Sequence, residues 1–176
     1  IAATDDGDVY SDDTTTIKTG MSSLNHYSFE TGEDKLFIAD GETMPQVWTG
    51  TGTADDIADP ATDWSSTPPF QFVLHRRANS QRMCALTATT LYVSKSFATA
   101  GDLENFSDAT AYAFPIETAD GFGLVGMIEH NNELWIFGKR QSFRFDDTDT
   151  DPSNWGITPN LFVRSEEHTS ELQSHL

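Results

Sequence analysis

The chain has 176 residues with 10 basic and 28 acidic side chains, which give a formal net charge of −18 at pH 7. This acidic balance argues against direct binding to nucleic acid phosphates, because such binding requires clustered lysine and arginine. No apolar run approaches the roughly eighteen residues that cross a bilayer. The single Cys84 excludes an intrachain disulfide framework. The length is that of one domain.

Short runs of alternating or aliphatic–aromatic residues predict strands along most of the chain. In chain order the predicted strands are Asp8–Ser11, Thr15–Thr19, His26–Phe29, Lys35–Ala39, Gln46–Thr49, Gln71–His75, Arg82–Leu86, Thr90–Ser94, Ala111–Ile116, Gly123–Glu129, Glu133–Phe137 and Ser142–Phe145. The polar segment Thr49–Pro69 is expected to be a long loop anchored by Trp64. Helix signals are scarce, and Ala100–Ala109 favours one short helical turn at most. The sequence therefore predicts an all-β fold.

The predicted strands recur in units of a strand, a turn, an aliphatic strand, a polar turn and a third strand with an aromatic residue. Taking Leu36, Met83 and Leu134 as equivalent positions, the units are spaced by 47 and 51 residues. Units of this length are typical of β-propeller blades, which are small antiparallel sheets buried against their neighbours. The pattern predicts a fragment of a β-propeller with about three antiparallel blades. A β-sandwich is the alternative, since it also contains many short strands.

Both ends of the chain carry signs of truncation. The chain opens with Ile1, without an initiator methionine or a signal peptide. At the other end, Arg164 to Ser174 is identical to the in-frame translation of a widely used sequencing adapter. We therefore expect residues 1–163 to be a partial β-propeller domain and residues 164–176 to be an artefactual, adapter-derived tail. Three blades cannot close a ring, which supports truncation independently, since typical propellers have about four to eight.

A glycine motif and several aspartates resemble ligand-binding loops but lack required parts. The stretch Gly121–Gly126 spells G-x-G-x-x-G, yet an acidic turn precedes it and a strand follows, whereas a dinucleotide site needs a strand and then a helix. Alternate aspartates near both ends suggest calcium loops, but the later set has Pro152 where glycine is required and Thr158 where a bidentate carboxylate is required. These aspartates are Asp5, Asp6, Asp8, Asp147, Asp149 and Asp151. We expect all of them to lie in solvated turns.

Side chains suited to zinc or nucleophilic chemistry are present but isolated. His26, His75 and His130 lie at or beside predicted strand ends, without cysteines or carboxylates at ligand spacing, and are interpreted as hairpin residues. Cys84 lies inside an aliphatic strand, and no serine lies in a G-x-S-x-G motif. The sequence therefore predicts no catalytic, metal-binding or cofactor-binding residue, no cofactor, and no enzymatic activity.

One basic cluster stands out in the acidic chain. It is formed by Arg76, Arg77 and Arg82, within "HRRANSQR". Two interpretations are open: an exposed hairpin tip, or a docking patch for an acidic neighbour.

Three phrases carry a resemblance to a known class of proteins. They are "DKLFIADGETMPQVWTG", "RMCALTATTLYVSKSFATAGDLENFSDA" and "GFGLVGMIEHNNELWIFGKRQSFRF". In this order they resemble the virion β-propeller proteins of tailed bacteriophages, of the tail nozzle and head-to-tail stabilisation class. The resemblance covers roughly Asp8 to Phe145 and consists of turns and strand cores. The closing blades of such a family are missing, and no binding residue carries over position by position.

The resemblance implies a mechanical function. A protein of this class is a structural, non-enzymatic subunit of the tail or head–tail junction, assembled in the host cytoplasm and located in the virion. It forms rings of identical subunits that contact other tail or portal proteins and surround the DNA conduit. The resemblance implies no sequence-specific nucleic acid binding and no association with a membrane. An acidic lumen would suit this function, because it repels DNA and lets the genome slide.

Two other functions remain open from the residues. A secreted propeller could bind a glycan or a protein through its tryptophans, which are Trp48, Trp64, Trp135 and Trp155. A hydrolase could carry its active site on blades outside this sequence. The fold alone does not distinguish these functions, since propellers host many of them.

Overall fold

The computed structural model is all-β in the part of the chain that it describes, which comprises residues 1–12, 14–22, 26–77, 80–107 and 112–160. The strands are β1 (Ala2–Ala3), β2 (Val9–Tyr10), β3 (Thr16–Lys18), β4 (Ser28–Gly32), β5 (Lys35–Ala39), β6 (Gln46–Trp48), β7 (Asp55–Asp56), β8 (Gln71–Arg77), β9 (Ser80–Leu86), β10 (Thr90–Val93), β11 (Tyr112–Pro115), β12 (Leu124–His130), β13 (Glu133–Gly138), β14 (Ser142–Asp146) and β15 (Gly156–Asn160). Two short 3₁₀ helices span Asp102–Glu104 and Pro152–Asn154. In these ranges no helix is long and apolar enough to cross a membrane. The expected tail at 164–176 lies outside the described residues.

The strands form four antiparallel sheets, each with its strands in chain order. We name them the N-terminal sheet (β1–β3), sheet A (β4–β7), sheet B (β8–β11) and sheet C (β12–β15). Every predicted strand has a counterpart, with ends that differ by a few residues. The predicted units had three strands, whereas sheets A, B and C have four. The sequence pattern missed β7 because it is two exposed aspartates, and β15 because it contains glycine and proline, which are rare in strands.

Tight turns of one type join the first two strands of sheets A and C. Glu33 and Asp34 link β4 to β5 with φ of 54° and 58°, and Asn131 and Asn132 link β12 to β13 with φ of 52° and 62°. Two consecutive residues with positive φ make the turn whose twist matches that of an antiparallel hairpin. Asparagine and aspartate adopt this conformation more readily than other residues with a side chain.

Alternate side chains of each sheet face opposite neighbours. In sheet A, Leu36 and Ile38 pack against Val9 and Ile17 of the N-terminal sheet, while Phe37 belongs to the core shared with sheet B. In sheet B, the side chains directed to sheet A include Phe72, Leu74, Met83, Ala85 and Tyr92. Those directed to sheet C include Val73, Cys84, Leu86, Leu91 and Val93. Sheets A and B are therefore buried on both faces, unlike the sheets of a two-layer sandwich.

The first strands of successive sheets lie side by side. Gln71 of β8 exchanges two hydrogen bonds with the backbone of Met127 in β12, and its neighbour Phe72 donates its N–H to Ser28 Oγ in β4. Four-stranded meanders joined in series through their first strands are the arrangement of consecutive propeller blades. The number of blades stays a prediction.

The long loop between sheets A and B is anchored as predicted. Trp64 is only 1% exposed and packs edge-on against Phe72 and Tyr92, with Phe106 on another side. Ile57 and Ala61 are buried in the same core, so Trp64 is one of several anchors of this segment, which also contains β7.

A matched pair of glycine variants tests the packing of the N-terminal sheet. Gly7 and Gly20 both have positive φ, but a Cβ on Gly7 would lie 2.2 Å from the Met21 carbonyl oxygen, while a Cβ on Gly20 meets nothing within 4 Å. We expect Gly20→Ala to cost about 1 kcal/mol from backbone conformation alone. Gly7→Ala should cost roughly 3 kcal/mol, because the backbone must also shift. Urea unfolding measures both, and equal midpoints would contradict this packing.

Candidate functional site

A buried polar cluster joins sheets B and C. His75 of β8 is 2% exposed, and its Nε2 lies 3.1 Å from Oδ2 of Asp147, the residue that follows β14. Arg77, at the end of β8, donates from Nη1 to the other carboxylate oxygen at 2.6 Å. Asp147 is 9% exposed, so one carboxylate satisfies two partners from the neighbouring sheet with little help from water.

The charge balance of the cluster follows from these contacts. Burial alone would raise the pKa of Asp147, but the hydrogen bonds from His75 and Arg77 and the positive charge of Arg77 outweigh it and lower the pKa. Nδ1 of His75 is buried without a hydrogen-bond partner. An unpaired acceptor costs less than an unpaired N–H on a charged ring, so we assign the neutral tautomer with hydrogen on Nε2. Arg77 then carries the positive charge opposite Asp147.

An open cavity of about 390 Å³ adjoins the cluster. Its far wall is Trp155, whose indole N–H donates to the Asp149 carbonyl at 2.8 Å. The Arg82 guanidinium lies 4.9 Å from the centre of the Trp155 ring and also donates to the Ser94 carbonyl at 2.6 Å. Tyr112 and Phe145 pack against the same indole. The aromatic wall is thus held by its neighbours on several sides.

The cluster does not form a Ser–His–Asp triad. A Ser–His–Asp triad needs a serine hydroxyl on the second ring nitrogen of the histidine. That nitrogen of His75 has no partner, and Ser80, which also lines the cavity, is instead hydrogen-bonded to Ser96 at 2.9 Å. Within the described ranges no group of three or more His, Cys, Asp or Glu side chains could hold a metal ion. The arrangement is suited to joining two sheets.

The structure corrects one expectation and refines another. Asp147 is not in a solvated turn but buried against β8, while His75 does lie in the β8–β9 hairpin, as predicted, with its side chain buried. Their 72-residue separation leaves no local pattern, so only the sheet-to-sheet packing brings them together. Asp149 and Asp151 do lie in an exposed turn, where Asp151 caps the 3₁₀ helix by accepting from the Ser153 N–H.

The other candidate residues are also structural. Gly121 and Gly123 have φ of 69° and 76° in a turn that enters β12, as the glycine motif predicted. Cys84 is fully buried, and burial raises the pKa of its thiol, so it is a poor nucleophile. His26 and His130 are exposed, and the ring of His130 is hydrogen-bonded to the side chain of Asn131.

Two of the three arginines of the basic cluster bind other side chains of the protein, and one of the four tryptophans is buried. Only Arg76 of the three arginines is exposed, since Arg77 binds Asp147 and Arg82 packs over Trp155. The three therefore form no single docking patch. Trp64 is buried in the core, which removes it from any binding surface, while the other tryptophans are partly exposed.

Many carboxylates bind the backbone of their own loops. The buried Asp40 accepts from the N–H groups of Ser22, Glu42 and Thr43 at 2.7–2.9 Å. Other turn-capping carboxylates are Asp12, Asp102, Asp120, Asp146, Asp149 and Asp151. Backbone hydrogen bonds lower the pKa of Asp12 and Asp151, while the side chains of Lys95 and Thr148, followed by backbone N–H groups, lower the pKa of Asp102 and Asp146. Part of the acidity is thus required by the loops themselves.

Comparison with protein-family models, with curated proteins and with solved structures finds no match to this chain. The resemblance to phage virion propellers stays a prediction.

Removing the Asp147 charge tests the link between sheets B and C. We expect Asp147→Asn to lower the free energy of unfolding by about 2–3 kcal/mol, because it leaves His75 and Arg77 without their acceptor. The value is kept low because Arg77 is 33% exposed. Asp55→Asn, at an exposed strand position, removes the same charge and should change stability by less than about 0.5 kcal/mol. Equal losses in urea unfolding would contradict the assignment.

The lowered pKa of Asp147 also predicts how the stability of the fold depends on pH. Because the folded pKa of Asp147 lies below its unfolded value, its contribution is present above about pH 4 and is lost as the pH falls through the folded pKa. The stability difference between the original chain and Asp147→Asn should stay constant from about pH 7 to pH 5 and shrink below about pH 4. A difference that grows on acidification would contradict the lowered pKa.

Proposed function

We propose that this chain is a non-enzymatic structural protein of a bacteriophage virion. In this proposal it is a tail or head–tail junction component that assembles with copies of itself and with other tail or portal proteins. Together they form part of the conduit through which DNA passes. The proposal rests on the resemblance of three phrases, and its main physical support is the role that the middle phrase has in the fold.

The middle phrase contains a strap that clamps sheet B to sheet A. After β10 the chain passes through Ala98–Phe106, which includes the 3₁₀ helix. The Gly101 and Leu103 N–H groups donate to the carboxylate of Glu33, in the β4–β5 turn, at 2.7 and 2.9 Å. Lys35 adds an ion pair with Glu104 at 2.5 Å. The strap therefore holds the hairpin of the preceding sheet.

The strap is also stabilised within itself. Asp102 accepts from the N–H groups of Ala98 and Thr99 at 2.9 and 2.7 Å, and pairs with Lys95 at 2.8 Å. Leu103 is fully buried beneath it, within the core shared by sheets A and B. The residues that carry the resemblance thus cross-brace neighbouring sheets. Such bonds between neighbouring sheets favour a protein whose function is to resist mechanical load.

Only carboxylates that do not hold their own loops in place can be evidence for a DNA conduit. Exposed carboxylates with no side-chain hydrogen bond or ion pair in the described part include Asp34, Asp55, Asp59 and Glu117. In a conduit these charges would repel DNA phosphates, so the genome would not adhere to the wall. The turn-capping aspartates are unsuitable for a test, because changing them would unfold the loops.

The conduit is tested by neutralising these four carboxylates together, as Asp34→Asn, Asp55→Asn, Asp59→Asn and Glu117→Gln. Asparagine tolerates the left-handed conformation of Asp34, so the fold should be kept. We expect assembled rings of the original chain to release linear duplex DNA at low salt, and rings of the quadruple variant to retain several-fold more. The retention should disappear as the salt concentration rises. Unchanged retention would mean that these charges do not face the DNA.

A further inference from the structure

The open cavity of about 390 Å³ between sheets B and C has mostly polar walls. Among its ten lining residues, only Pro152 and Trp155 lack a charged, imidazole or hydroxyl-bearing side chain. Pockets for small ligands have volumes of about 300–1,000 Å³ and are usually lined by apolar side chains. This cavity therefore has the size of a small-ligand pocket and a lining that suits a polar ligand.

The wall formed by sheet B is positively charged. Arg77 of β8 and Arg82 of β9 both line the cavity. Among the described residues Arg77 has one hydrogen bond, from Nη1 to Oδ1 of Asp147, and the other carboxylate oxygen is occupied by His75. Two nitrogens of a guanidinium group can bind one carboxylate side by side. Arg77, whose side chain is 33% exposed, thus keeps the pair of donors on Nε and Nη2 for a second carboxylate.

The opposite wall is the loop between β14 and β15. It contributes the hydroxyl groups of Thr148 and Thr150, the carboxylate of Asp149 and the indole of Trp155. The two threonines and Asp149 are exposed, whereas Trp155 is held in place by its aromatic neighbours. Hydroxyl and carboxylate groups bind the hydroxyl groups of a ligand, and an indole packs against apolar C–H groups. These are the contacts that a sugar ring requires.

We propose that this cavity binds a sugar residue that carries a carboxylate, such as a uronic acid. The carboxylate binds the remaining donors of Arg77 and is attracted by the charge of Arg82. The ring hydroxyls bind Thr148 and Thr150, and a C–H face of the ring packs against Trp155. An acidic peptide side chain would use the arginine wall alone, and a neutral sugar would use the loop wall alone. An acidic sugar uses both.

The protein's own carboxylates limit the affinity. Asp147 offsets part of the charge of Arg77, while Asp149 is exposed, so water screens its charge. We therefore expect a dissociation constant of about 1 mM for a single sugar residue. Because the attraction is between opposite charges, added salt should weaken binding. The inference does not rest on the proposed conduit, and DNA retention does not test it.

The test is an NMR titration of the ¹⁵N-labelled full chain with sodium glucuronate to about 20 mM, well above the expected dissociation constant, at constant ionic strength. We expect saturable shifts of the Trp155 indole N–H and of the amides around the cavity. Glucose lacks the carboxylate, and glutarate lacks the sugar ring. Each should bind about tenfold more weakly than glucuronate, because each uses only one wall.

Two variants test the contacts without removing the partner of Asp147. Arg77→Lys keeps the positive charge but not the fork of donors, and should weaken glucuronate binding about fivefold. Thr150→Asp adds a negative charge at an exposed position of the cavity wall, and should weaken the binding of glucuronate but not of glucose. Arg76→Lys makes the same change at the neighbouring arginine, which does not line this cavity, and should leave binding intact.

The absence of saturable shifts with glucuronate, or shifts confined to other surfaces, would overturn the inference. Equal affinity for glutarate would assign the cavity to acidic side chains of a protein partner, and equal affinity for glucose would assign it to a neutral sugar. Either result would also overturn it, as would binding that Arg77→Lys and Thr150→Asp both leave unchanged, or equal weakening by Arg76→Lys. Circular dichroism and thermal melting establish that each variant is folded.

Discussion

The fold depends on one constraint: each sheet must bury apolar side chains against a neighbouring sheet, and sheets A and B do so on both faces. A four-stranded meander of two to seven residues per strand has too little apolar surface to be stable alone. Alternation along β5 and β9 directs one set of side chains to the preceding sheet and the other set to the following one. The core is therefore not a single centre but a series of layers, and the strap over Glu33 and the His75–Asp147 contact fasten those layers at their edges.

The turns of the fold explain part of the acidic composition. Meanders require many turns, and aspartate is suited to turns because its carboxylate accepts from backbone N–H groups two or three residues ahead. Asp40 shows the extreme case, a buried carboxylate with three backbone donors. Net charge is thus a poor guide to function here, since structural and uncommitted carboxylates count equally in the total. Only the uncommitted ones, such as Asp59, bear on a partner.

Sequence periodicity predicted most of the fold and little of the polar cluster. The spacing of Leu36, Met83 and Leu134 identified the second strand of each sheet, because alternation and turn residues are local signals. Strand β7 was not predicted because two aspartates carry no strand pattern, and it forms by pairing with β6. The sequence did not predict the contact of His75 with Asp147, and the reason is different. It depends on which ends of two sheets meet, and no short segment encodes that.

The central claim, that the sheets stabilise one another in series, is tested most directly by native-state hydrogen exchange. Sheet B is covered on both faces by four-stranded sheets, whereas sheet A has the three-stranded N-terminal sheet on one side, so the amides of β8 and β9 should exchange most slowly. Protection should decline towards the N-terminal sheet on one side and towards the outer strands of sheet C on the other. Equal protection in all four sheets, or the strongest protection in the N-terminal sheet, would contradict the account.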